Sequence, residues 1–193
     1  EAPVKAPLLV LFDGQHWNNS MNLPAQVDAA IAIGLLPPVS LLMIDSVNTE
    51  RRWDSVGVPG GQVDVLIDAL LPHVRETYNV SACGEDTIVT GASFGGLASL
   101  WALALSDGEV GHAIAQSPSL WRFNVADALS AAEQWSSIHL QAGKYACSSC
   151  CACRISSPKI SPATSARFAC VACMAATIGP GGGCICSPNS PGC

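Results

Sequence analysis

The sequence has no acidic residue after Glu133, no tryptophan after Trp135, and a single cysteine, Cys83, before Cys147. It has no apolar run near the ~20 residues needed to span a bilayer, so it predicts no transmembrane helix. It is short of basic residues: nine Lys and Arg against 15 Asp and Glu leave a net charge of −6. That balance argues against nucleic acid as a partner, which calls for a basic face. The chain also lacks an initiating Met and a secretory leader pattern, opening on Glu1, and so reads as a processed or partial chain. What it does have is hydrophobic content, 49% of 193 residues. This excludes disorder for most of its length and supports one domain with a sizeable core.

The absences coincide at one place. Residues 1–144 carry six basic and 15 acidic residues; residues 145–193 carry Arg154, Lys159 and Arg167, no acid, and nine of the ten cysteines. A step this abrupt marks a boundary. It divides the chain into a domain over 1–144 and a Cys-rich tail over 145–193, expected to be disordered.

The first part is organised around Gly91-Ala92-Ser93-Phe94-Gly95-Gly96. An apolar run ending at Thr90 leads in, and the helix-forming run Leu97–Leu105 leads out. Strand, G-x-S-x-G, helix is the context in which the motif carries chemistry: a sharp turn exposes Ser93 Oγ, and small neighbours let the backbone turn there. Further strands are expected over Pro7–Phe12, Val39–Asp45, Gly111–Gln116 and Ile138–Ala142, with helices over Pro24–Gly34, Gln62–Tyr78 (kinked or broken at Pro72) and Ala126–Trp135. Ser46–Gly61 reads as a loop. Alternation of strand and helix implies an α/β fold with a doubly wound, mostly parallel sheet. Its site gathers at the carboxyl ends of the strands. There the loops Asp13–Trp17, Asp45–Asp54 and Gln116–Trp121 converge with Ser93.

Several segments run in the order seen in one family. Leu11-Phe12-Asp13-Gly14-Gln15-His16-Trp17, Leu35-Leu36-Pro37-Pro38, Leu41–Asp45, Arg51-Arg52, Leu70–Arg75, Gly91–Leu97 and Gln116-Ser117-Pro118-Ser119-Leu120-Trp121 resemble the catalytic domain of enterochelin (enterobactin) esterases, from residue 7 to about residue 144. The resemblance implies an α/β-hydrolase fold and a cytoplasmic serine carboxylic-ester hydrolase that needs no cofactor. It would open the ester bonds of a catecholate siderophore and release its iron. It makes Ser93 the nucleophile, and the backbone amides of Phe94 and Gln15 the oxyanion donors. Arg51 and Arg52 would suit an anionic catecholate, and Trp17 and Trp121 its rings. Solvated loop charges and core anchors stay open as the alternative readings of these four side chains.

The resemblance stops at Lys144. The family continues with a glutamate, a strand and a Gly-Gly-His-Asp motif; here Tyr145-Ala146-Cys147 begins something else. None of His16, His73, His112 or His139 occupies the position of the catalytic base, so activity is expected to be impaired. No sixth strand or final helix is legible after Ala142, which leaves the fold incomplete, with an open sheet edge and poor solubility as the expected results. A frameshift in a GC-rich gene accounts for a tail of Ala, Ser, Pro, Gly, Arg and Cys. The alternative is a binding protein with a zinc-holding tail, in which Cys147-x-x-Cys150 and Cys170-x-x-Cys173 have the spacing of a tetrahedral site.

Overall fold

The apolar runs expected as strands pair with one another in parallel. The computed structural model describes residues 4–132, 134–143 and 167–173. Strands β1 (Leu8–Phe12), β2 (Ser40–Ile44), β3 (Thr87–Ala92), β4 (His112–Gln116), β5 (Ser137–Gly143) and β6 (Arg167–Cys173) form one sheet in the order β2-β1-β3-β4-β5-β6. Every neighbouring pair is parallel. The connecting helices are α1 (Leu23–Ala32), α2 (Thr49–Ser55), α3 (Gln62–Val65), α4 (Leu71–Thr77), α5 (Phe94–Leu105) and α6 (Ala126–Ala131). None is long and apolar enough to cross a membrane.

Three local outcomes differ from expectation. Thr49–Ser55 is helical rather than loop, because Asn48 Oδ1 accepts the Arg51 amide at 2.9 Å and caps the first turn. The Gln62–Tyr78 helix runs on past Pro72: a π-turn over Leu66–Leu70 separates α3 from α4 and absorbs the donor that proline lacks. Helix α6 stops at Ala131, and buried Trp135 folds back to donate its indole N–H to Leu129 O at 3.3 Å.

The expectation that no sixth strand follows Ala142 is overturned. Arg167–Cys173 pairs in parallel with the whole of β5, from Ser137↔Arg167 to Gly143↔Cys173. The unpaired amides and carbonyls along an exposed β5 edge would accept any extended segment that reaches them, and an RFACVAC run without clear periodicity gave no sign that it would. The edge expected to stay open is therefore paired. Cys170 and Cys173 both lie in this strand, whose extended backbone has no turn of the kind a C-x-x-C chelate uses. Cys147, Cys150, Cys151, Cys153, Cys184 and Cys186, with most of the expected tail, lie outside the described residues.

The core is built on α5, whose residues are buried without a break from Phe94 to Leu103. A helix apolar on all sides belongs inside a domain, and α5 lies across β1, β3 and β4. The topology then positions the site. From β1 the chain steps to β2 on one side and returns to β3 on the other. The crevice at this reversal, beyond the carboxyl ends of β1 and β3, is where such sheets bind ligands.

Candidate active site

Ser93 sits directly after β3, at that reversal. Its backbone adopts φ 58° and ψ −112°, a region that costs a non-glycine residue ~1–3 kcal/mol and persists only where the surroundings enforce it. Here the Ser93 amide donates to Gln116 O (2.9 Å), and Ser93 O accepts from Leu97 (3.1 Å) and Ser119 (3.0 Å). The turn is thus held by its own helix and by the loop leaving β4. The side chain is exposed. Its Oγ lies 3.0 Å from the Oγ of buried Ser119. Phe94 is the first residue of α5, where a helix has no internal partner for its amide.

The loop leaving β1 runs beside this turn. Asp13 is buried at φ 62°. Both its oxygens accept from Arg52, Oδ1 from Nε and Oδ2 from Nη2, each at 2.8 Å. Gln15 is tied to the loop after β2: its Nε2 donates to Ser46 Oγ at 2.6 Å and its Oε1 accepts the Ser46 amide at 3.2 Å. Replacing Gln15 by Ala removes both bonds and strands the Ser46 amide. A loss of about 1–2 kcal/mol is expected in chemical denaturation.

The four expected substrate contacts separate. Arg51 is exposed on α2. Arg52 is turned inward to Asp13, with its guanidinium 5.1 Å from the Phe94 ring centre. Trp17 is half-buried and donates its indole N–H to Phe12 O at 2.9 Å, the behaviour of an anchor. Trp121 is 59% exposed and lies 5.9 Å from the Phe94 ring.

Three residues beside those expected complete the arrangement. Trp53, 50% exposed, packs edge-on to Phe94 at 5.2 Å and lies 6.4 Å from Trp121. Arg122 stacks over Trp53 at 4.2 Å and Phe94 at 4.7 Å. Ser119 is the third. Each is next to, or within two residues of, a position picked out by motif, but linear spacing did not say which neighbour faces the mouth. Two exposed indoles over a buried ring, beside an exposed serine hydroxyl, make an aromatic-lined mouth.

No histidine or carboxylate hydrogen-bonds Ser93 among the described residues. His112 begins β4, at the opposite end of the sheet, with Nδ1 2.7 Å from Ser137 Oγ and Nε2 3.6 Å from Glu85. His16 is exposed in the turn after β1, His73 lies on α4, and His139 lies within β5.

A protein-family model described as "Putative esterase" matches residues 2–176, reaching past Lys144 into the Cys-rich region. The iron(III) enterobactin esterase of Dickeya dadantii is 33% identical over 121 residues, 63% of this chain and 28% of that protein. The iron(III) salmochelin esterase of Escherichia coli O6:H1 is 30% identical over 116 residues, 59% of this chain and 28% of that protein. Among solved structures, the enterobactin esterase of Shigella flexneri, determined in the presence of enterobactin, superposes with a TM-score of 0.74. It is 26% identical, over 89% of this chain and 47% of that one. A ferulic acid esterase at 13% identity and a TM-score of 0.68 shares the fold. The chain thus spans under a third of the length of the curated relatives it matches. With the family match running over most of its own length, and Ser93 on the sharp turn directly after β3, the chain belongs to this esterase family.

Proposed function

We propose that residues 1–144 form a serine carboxylic-ester hydrolase unit for esters of catecholate siderophores, with iron as the substrate's cargo. The observation that carries this reading is the exposed Ser93 hydroxyl on a strained strand-to-helix turn, opening between two exposed indoles. The matched relatives, enterobactin and salmochelin esterases by name, support the substrate class.

Ser93 Oγ attacks the ester carbonyl. The oxygen that becomes negative then lies toward the free amide of Phe94 and the amide of Gln15, whose loop is pinned by Ser46. Trp121 and Trp53 receive the aromatic acyl group, and Arg51 lies exposed nearby on α2 for its anionic oxygens. Arg52 braces the β1 loop through Asp13 rather than meeting substrate. The attacking hydroxyl must lose its proton, and Ser119, its hydrogen-bond partner, is another hydroxyl and too weak a base to take it. Turnover by this chain is therefore slow, because absent triad partners typically cost ~10⁴–10⁶ in rate.

The test is intact-mass spectrometry after incubation with a fluorophosphonate, together with hydrolysis of a 2,3-dihydroxybenzoyl-serine ester. Slow, stoichiometric labelling of the wild type and none of Ser93→Ala are expected, with ester turnover about 10⁴-fold below a full-length enterobactin esterase. Equal labelling of both proteins would remove Ser93 as nucleophile; turnover matching the full-length enzyme would show that a base is present. The frameshift origin of the tail is checked on the coding DNA. A Gly-Gly-His-Asp motif is expected in a shifted frame beyond codon 144, and no such motif in any frame would make the tail genuine.

A further inference from the structure

We propose that Arg122 is a specificity-determining residue of this site, selecting an aromatic group that carries an anionic oxygen over a neutral one. The proposal rests on the reading of Ser93 as nucleophile only for where the acyl group lies, not for whether binding occurs.

The arginines of the chain are neutralised in different ways. Arg52 spends its fork on Asp13. Arg75 pairs with Glu109 and also donates to the Glu109 carbonyl oxygen. Arg122 has no carboxylate partner and no side-chain hydrogen bond among the described residues. Its guanidinium is instead held by rings, with centres at 4.2 Å (Trp53), 4.7 Å (Phe94) and 5.5 Å (Phe123). Nη1 is buried against them without an acceptor. Stacking fixes the plane of a guanidinium and leaves its in-plane donors to act. With Nη1 covered, Nε and Nη2 form the edge left for a ligand.

The turn that carries Arg122 lies at the mouth. The Arg122 amide donates to Ser119 O at 3.0 Å, Ser119 Oγ meets Ser93 Oγ at 3.0 Å, and Trp121, the preceding residue, is more than half exposed. One short turn therefore carries the partner of the nucleophile, an exposed stacking face and an unneutralised, pre-oriented cation. In a chain of net charge −6, an anionic ligand is repelled in general and needs a local cation that no protein carboxylate has claimed. A flat ring on Trp121 with an oxygen anion at its edge satisfies the face and the cation together. A neutral ring satisfies only the face and leaves the guanidinium edge in water.

The experiment is equilibrium titration of the full chain by quenching of tryptophan fluorescence. The probes are 2,3-dihydroxybenzoate and its uncharged analogue 2,3-dihydroxybenzamide. The proteins are the wild type, Arg122→Gln, Arg122→Lys, and Lys5→Gln as a control for one lost charge. Wild type and Lys5→Gln are expected to prefer the anion by about tenfold or more, the range of a charge-assisted bond. Arg122→Gln loses that preference while keeping its affinity for the amide. Arg122→Lys recovers only part of it, because an ammonium keeps the charge but not the stacked fork. A purely structural role for Arg122 would instead weaken both probes equally, and an unchanged preference in Arg122→Gln would assign the selectivity elsewhere; either result overturns the proposal. Binding needs no catalysis, so absence of Ser93 labelling alongside an Arg122-dependent preference would reject the esterase reading and leave this inference standing.

Discussion

Gly91→Ala is expected to destabilise the chain by about 3 kcal/mol, at the upper end of what overpacking usually costs. A Cβ at this position would lie 2.5 Å from the carbonyl carbon of Gly95, 2.6 Å from its oxygen and 2.8 Å from its Cα. All three are backbone atoms in the first turn of α5, so no side chain can swing aside. Nor can the helix retreat freely, because a Cβ site at Gly95 already stands 3.2 Å from both Phe12 Cβ and Asp13 Oδ2. Strand β3 and helix α5 touch at Gly91 and Gly95, and α5 and β1 touch again at Gly95; the turn at Ser93 is as sharp as it is because both positions lack side chains. For a domain of this size the thermal midpoint should fall by roughly 6–12 °C. Phosphonylation of Ser93 should slow by about 10²-fold or more, since misplacement by ~1 Å has that effect. Gly34→Ala is the control. It also removes a glycine, at φ 73°, but nothing lies within 4 Å of its Cβ site, so only the left-handed backbone opposes it, at about 1–2 kcal/mol. Melts in which the two variants lose equal stability would show that the close approach of β3 and α5 does not set the turn.

The glycines also show why so much of the fold was legible. Five apolar runs of strand length, each followed by a helical pattern or a turn, leave a parallel sheet as the main way to bury both faces. The five corresponding strands fall within two residues of where the runs predicted them. Ser93 could be placed because a G-x-S-x-G turn between strand and helix demands a local backbone geometry that only a small set of neighbours permits. The aromatic mouth was harder to read. Trp17 and Trp121 look alike in sequence, each just beyond a strand end, yet one points its N–H at a backbone carbonyl and the other stands half in water. That difference is decided by tertiary neighbours, Phe94 and Trp53 above all, which no linear pattern specifies. Arg52 and Arg122 invert in the same way. The arginine in the family-like motif is consumed by Asp13, 39 residues away in sequence, while the one outside it has no carboxylate partner among the described residues. Strand β6 was missed for a different reason. Its pairing is dictated by the waiting edge of β5, not by any alternation of its own.

Arg52→Ala should cost more than any change made to its partner, and the order of the two is the sharper prediction. The Asp13 side chain is 6% exposed and that of Arg52 25%. Removing the arginine leaves a carboxylate beneath the start of α5 with little access to water. Loss of one member of a buried pair typically costs ~3–5 kcal/mol, and about 3 kcal/mol is expected here because the pair is partly wet. Asp13→Asn leaves the opposite residue. Arg52 can still stack on Phe94 at 5.1 Å and rehydrate its open quarter, and Asn keeps both a carbonyl acceptor and a tolerance for the φ of 62° found at this position. That variant should cost about 1 kcal/mol. The double variant should be more stable than Arg52→Ala alone, since a neutral amide has less to lose when stranded than a carboxylate. Chemical denaturation of the four proteins gives the cycle directly. Because Asp13 begins the loop that carries Gln15 and also abuts Gly95, the same order should appear in the rate of Ser93 phosphonylation. An Arg52→Ala variant no less stable than Lys5→Gln would mean that the pair decorates the surface, and would return Arg52 to the substrate-facing role its motif implied.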